Sequence, residues 1–100
     1  MKGINWEYLE KNPVSIKIAR EKDFNELIDY FIDNNLPILS QTIERRKKRN
    51  WSKYSYLFLS KEHSTLLGGT TPCSINTESV SKFIDLVVID NNNNQISIWM

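Results

Sequence analysis

Residues 14–33 read Val14-Ser15-Ile16-Lys17-Ile18-Ala19-Arg20-Glu21-Lys22-Asp23-Phe24-Asn25-Glu26-Leu27-Ile28-Asp29-Tyr30-Phe31-Ile32-Asp33, and the apolar period changes once along them. Val14, Ile16 and Ile18 alternate with Ser15 and Lys17, the two-residue repeat of a half-buried strand. Pro13 bounds that strand, because it has no N–H to give to a ladder and suits a strand start. From Phe24 the repeat is helical. Phe24, Leu27, Ile28, Phe31 and Ile32 fall at i, i+3, i+4, i+7 and i+8, one stripe of a helix from Glu21 to Asp33, while Asp23, Asn25, Glu26, Asp29 and Asp33 point away. Asn34-Asn35 predicts a left-handed stop, since Asn tolerates positive φ, and Pro37 blocks continuation.

Working outward, Trp6, Tyr8 and Leu9 predict a short turn or helix over one end of the core, with residues 1–12 otherwise a loose arm. Ile38, Leu39, Thr42 and Ile43 begin a second amphipathic pattern that Glu44 to Arg49, all good helix formers, can continue. The alternative for residues 38–50 is a mobile loop. Tyr54 to Ser60 reads as a central strand, with Tyr54, Tyr56 and Phe58 on one side and Ser55, Leu57 and Leu59 on the other. Thr65-Leu66-Leu67 gives a further short strand that Gly68-Gly69 breaks or bulges. Ser79 to Phe83 turns helically, Ile84 to Ile89 reads as a strand on composition, and Ile96 to Trp99 closes a C-terminal hairpin through an asparagine turn, Asn91 to Asn94. The expected fold class is α+β: one or two helices packed on a mostly antiparallel sheet of about four to five strands, a single domain over residues 1–100.

Composition agrees with one core. The chain has 100 residues, 40% hydrophobic and 11% aromatic, enough for a domain that buries roughly 60 to 70% of its unfolded surface. A charged fraction of 25% argues against disorder. One cysteine, Cys73, and one histidine, His63, exclude an intramolecular disulfide and a Cys/His zinc cluster. No cofactor and no metal are expected. No window has the apolar length of a membrane span or signal peptide, so the expected location is the cytoplasm, with no membrane partner.

Charge is distributed unevenly. Residues 1–33 carry five cations and seven anions, residues 34–60 six and one, and residues 61–100 two and four, within a total of +1. Arg45, Arg46, Lys47, Lys48, Arg49 and Lys53 supply the central excess, with Trp51 and Tyr54 beside them. Such a block is a solvated helix face, an internal electrostatic element paired with the acidic helix, or a contact patch for an anionic partner. As a patch it serves a protein with an acidic or nucleic-acid-binding surface, Arg and Trp being common interface anchors. It also suits nucleic acid directly, with phosphates neutralised by the cations and bases stacked on Tyr54 or Tyr56. If the block is surface, charge reversal across Arg45 to Arg49 removes partner binding with little effect on stability.

Catalytic chemistry has weaker support. Cys73 and His63 are the only thiol/imidazole pair, and a thiol enzyme would need them adjacent, with Asp85 or Asp90 orienting the ring. Leu67-Gly68-Gly69-Thr70-Thr71 lacks the Gly-Lys-Ser/Thr ending of a nucleotide phosphate loop. The chain reads as non-enzymatic.

The run Val14-Ser15-Ile16-Lys17-Ile18, the helix Asp23 to Phe31, the strand Tyr54-Ser55-Tyr56-Leu57-Phe58-Leu59 and the glycine pair resemble small uncharacterised phage-encoded α+β proteins over residues 14–70. The chain lacks their tryptophan shortly after the first helix and carries the basic block there instead. The opening strand and helix also look like the start of an acetyltransferase, but 100 residues cannot hold that fold and its pyrophosphate-binding glycines are missing. The phage resemblance implies an inhibitor of the anti-CRISPR or other anti-defence type, acting in the host cytoplasm by docking a host protein. The contact region would be Arg45, Arg46, Lys47, Lys48, Arg49, Trp51, Lys53 and Tyr54.

Overall fold

In the computed structural model, which describes residues 2–90, the chain runs β1 (Lys2–Ile4), α1 (Trp6–Lys11), β2 (Val14–Lys17), α2 (Glu21–Asp33), α3 (Ser40–Lys47), β3 (Tyr56–Leu59), β4 (Leu67–Gly69), β5 (Ile75–Thr77), α4 (Val80–Val87) and β6 (Val88–Asp90). A four-stranded sheet has the order β4-β3-β2-β5, and β1 pairs with β6 in a separate two-stranded ladder. β2 and β3 are antiparallel with Val14 opposite Leu59 and Ile16 opposite Leu57, and β3 and β4 are antiparallel. β5 lies parallel to β2. The α+β class holds.

The core lies where the two periods meet. Val14 and Ile16 of β2 and Leu57 and Leu59 of β3 are buried with Phe24, Leu27, Ile28 and Phe31 of α2 and Phe83 and Val87 of α4 in one cluster. Each fully buried Phe contributes roughly 1.5–3 kcal/mol by leaving water. The other sheet face carries Ser15, Lys17, Tyr56 and Phe58.

That second face is crossed by the chain itself. β4 ends at Gly69, level with Tyr56 and Lys17, whereas β5 starts at Ile75, level with Val14 on the far edge. Three strand spacings sideways and three residues lengthwise separate these points by roughly 17–18 Å. The six Cα steps between them reach at most about 20–22 Å, so residues 70–74 form a strap with little length to spare, bent at 70, 71 and 74. Ser15 pins it: the Ser15 hydroxyl accepts from the Cys73 N–H (2.9 Å) and donates to Asn76 Oδ1 (2.7 Å). A fully buried serine in a strand thus has its polar atom satisfied, as burial requires.

Several expectations need correction. Of Ile84 to Ile89 only Val88 and Ile89 are strand, in β6: α4 continues to Val87, because Val80, Phe83 and Val87 recur at i, i+3 and i+7 and all are buried. The Ser79 hydroxyl caps it by accepting from the Lys82 N–H (3.4 Å). Gly68 and Gly69 do not break β4; both have negative φ and pair with Leu57 and Tyr56. Leu66 makes only an isolated bridge to Ile38. The central strand begins at Tyr56, so Tyr54 lies outside it and does not share its face. β5 was not anticipated. Residues 2–11 are not a loose arm: β1 is paired, and α1 carries Leu9, 1% exposed, into the core. The expected closing strand Ile96 to Trp99 and its hairpin lie outside the described residues. No described helix is long and apolar enough to cross a membrane.

Candidate functional site

The basic block is divided by α3. This helix starts after the Ile38–Leu66 bridge, and the Thr42 hydroxyl donates to Leu66 O (3.4 Å), fixing its inward face. Arg45 follows Thr42 by three residues on that same face. It is 8% exposed and therefore is not the surface contact expected of it. Its guanidinium lies 5.1 Å from the Phe24 ring centre and 4.9 Å from that of Tyr54. Nη2 donates to Trp51 O (2.7 Å) and Nε to Asn50 O (3.3 Å). Burial lowers the Arg45 pKa from its ordinary value, partly opposed by Tyr54, but a guanidinium stays charged at neutral pH. Gly68 makes the slot possible, since a Cβ there would sit 2.4 Å from Arg45 Nη1 and 2.7 Å from Tyr54 Cδ2.

The remaining cations differ in their partners. Arg46 pairs with Asp29 of α2, so the acidic helix neutralises one member of the block. Lys47 Nζ lies 3.5 Å from Glu44 Oε1 on the same helix, an exposed pair worth roughly 0.3–0.5 kcal/mol. Lys48, Arg49 and Lys53 are exposed, and among the described residues none has a carboxylate within pairing distance. Lys53 Nζ sits 5.5 Å from the Tyr54 ring centre.

These three cations stand on the two hydrogen-bonded turns that follow α3. At the end of α3 the Asn50 N–H bonds to Arg45 O (2.8 Å) and the Arg49 N–H to Arg46 O (3.2 Å), with Arg49 left-handed at φ 53°. The end of α2 is built alike: Leu36 N–H to Phe31 O, Asn35 N–H to Ile32 O, and Asn35 at φ 55°. Asn suits that conformation, whereas Arg does not. Glycine at 49 is therefore expected to fit this conformation. Relief of roughly 1–2 kcal/mol of left-handed strain is partly offset by glycine's greater unfolded freedom. Arg49→Gly should be more stable than Arg49→Ala, which loses the same charge, by about 0.5–1 kcal/mol in urea denaturation, and an equal or lower midpoint would contradict this account. Cations here also complement the negative end of the α3 dipole.

The aromatic residues are committed internally. Tyr54 is engaged by Arg45 and Lys53, and half-buried Trp51 packs against the core. Tyr56 belongs to the sheet face crossed by the strap. Of the eight expected contact residues, the structure leaves Lys48, Arg49 and Lys53 exposed and without a carboxylate, pairs Arg46 and Lys47, and gives Arg45, Trp51 and Tyr54 internal roles. Phe24, Asp29 and Gly68, which shape the site, were not read as part of it. The only signal for Gly68 was the glycine pair itself.

Cys73 and His63 have separate hydrogen-bond partners. His63 Nδ1 is 3.1 Å from Ser60 Oγ, and its ring meets Phe58 edge-on. Cys73 lies in the strap, where burial pushes its thiol above the ordinary pKa and away from the nucleophilic thiolate. No hydrogen bond joins them among the described residues. No cluster of three His, Cys, Asp or Glu side chains there is placed to hold a metal. Compared with known proteins, the chain matches no family model, no curated protein and no solved structure.

Proposed function

We propose that this is a non-enzymatic binding protein of the inhibitor or adaptor kind that docks an acidic surface of another protein through Lys48, Arg49 and Lys53. One observation carries the reading: three exposed cations with no carboxylate partner among the described residues follow the α3 stop, on a segment held by the Arg45 bonds to Asn50 O and Trp51 O. Holding the segment in advance lowers the ordering cost of association. A protein partner is favoured over a stacked nucleic acid because the Tyr54 ring is already engaged by the chain's own cations. A host nucleic-acid-handling or defence protein that exposes an acidic surface fits this description.

The test is the triple variant Lys48→Gln, Arg49→Gln, Lys53→Gln, compared with wild type for capture of host proteins and for gel shifts with single- and double-stranded nucleic acid. Three interface charges at about 0.5–1 kcal/mol each correspond to a loss of roughly ten- to hundredfold in affinity. Folding stability should change by no more than about 1 kcal/mol, most of it the lost dipole interaction. An acidic protein retained equally by both forms rejects the patch. A steeply salt-dependent shift of nucleic acid by wild type would put nucleic acid in the protein's place.

A further inference from the structure

Arg45 is a buried cation without a counter-charge. Among the described residues it makes no ion pair, and its Nη1 is buried without a hydrogen-bond partner. A desolvated charge is ordinarily retained beside an opposite one, because attraction in a poorly polarisable interior offsets the lost hydration. Two carbonyls and two rings do part of this for Arg45, but among the described residues no carboxylate pairs with it to do the rest.

Arg45 also lines a cleft of about 370 Å³, together with Gln41, Glu44, Lys48, Asn50, Lys53 and Tyr54. Arg45, Lys48 and Lys53 place three positive charges around one concavity. The one acid at its edge, Glu44, is engaged by Lys47. Like charges facing a shared hollow with an aromatic wall focus a positive potential inside it, and the Gln41 and Asn50 side-chain amides add neutral donors.

We infer that this cleft binds a single oxyanion, the carboxylate of an acidic side chain or a phosphate group, which supplies the counter-charge Arg45 lacks. The inference rests on the docking role proposed above and names what the docked surface inserts. Lys48 and Lys53 contact the anion from the rim, and Arg45 acts from behind as fixed charge. Arg49 does not line the cleft and holds only the surrounding surface.

Titration of the ¹⁵N-labelled protein tests it, with sodium phosphate, sodium acetate and sodium chloride at matched ionic strength. The expected result is saturable shifts with phosphate or acetate at the Gln41, Lys48, Asn50 and Lys53 amides and the Arg45 Nε–H, with chloride giving only small, non-saturating changes. Lys53→Gln should weaken half-saturation about tenfold, whereas Lys82→Gln on α4, outside the cleft, should leave it unchanged. Saturation by acetate identifies a carboxylate as the natural occupant, and saturation by phosphate alone identifies a phosphoryl group. Equal responses to all three salts, or shifts spread over every exposed lysine, would overturn the inference. The two readings separate: a protein partner lost in Arg49→Gln without saturable anion binding removes the cleft alone. Saturable anion binding with no protein partner removes the docking role alone.

Discussion

Arg45→Ala is expected to destabilise the fold by about 2–4 kcal/mol, far more than a surface substitution, which usually stays within roughly 0.5 kcal/mol. The variant loses two charged hydrogen bonds, to Trp51 O at 2.7 Å and Asn50 O at 3.3 Å, each contributing roughly 1.5–3 kcal/mol at most. It also loses the stacking on Phe24 and Tyr54, about 0.5–2 kcal/mol, and the packing of the side-chain stem. Against these losses stands relief from burying an uncompensated cation, which keeps the net well below their sum. For a chain of this length the melting temperature should fall by roughly 8–25 °C. Arg45→Met separates the contributions, because it keeps most of the volume and none of the donors. Urea denaturation should place it between wild type and alanine. A methionine variant as stable as wild type would show that desolvation cancels the hydrogen bonds. An alanine variant within about 0.5 kcal/mol of wild type would remove the structural role altogether. Charge reversal across Arg45 to Arg49 therefore mixes a folding defect with a surface effect, and only substitutions that spare Arg45 report on docking.

Gly68→Ala is expected to cost about 2–3 kcal/mol through the same slot. Glycine is required here by space and not by backbone angle, since no described glycine has positive φ. The added methyl would lie 2.4 Å from Arg45 Nη1 and 2.7 Å from the Tyr54 ring, so one of them must leave. Tyr54 is held between Arg45 and Lys53, and Arg45 is tied to two carbonyls, so neither moves without giving up contacts. Overpacking of this kind typically costs about 1–3 kcal/mol. The two substitutions are coupled. In Arg45→Ala the methyl at 68 has room, so the double variant should be less destabilised than the two single effects added, by at least about 1 kcal/mol. Strict additivity in equilibrium unfolding would show that the glycine and the guanidinium do not compete for one space.

Much of the fold was legible because it follows from repeats within a few residues. The α2 bounds followed from Phe24, Leu27, Ile28 and Phe31, and its left-handed stop from Asn34-Asn35. β2 followed from Val14 and Ile16. The same spacing was present in Val80, Phe83, Ile84 and Val87, but the β-branched composition of residues 84–89 outweighed it, and packing against the sheet decided for a helix. β5 is three residues long and exists because β2 offers an edge 61 residues away, Val14 opposite Ile75, which local composition does not carry. At the site, a cluster of charge was visible and its division was not. Whether an arginine is solvated or buried depends on which ring and which glycine lie opposite, and Phe24 and Gly68 are each more than 20 residues from Arg45.

The strap across the sheet sets a limit on chain length. With one residue fewer between Gly69 and Ile75, five Cα steps reach at most about 18 Å, which leaves no slack over the width to be spanned. Connecting segments commonly accept deletions, but here a shortening would pull β5 off its edge or draw β4 away from the other. The segment from Thr70 to Ser74 is thus a measured tether whose residue count, more than its composition, is dictated by how many strands lie beneath it.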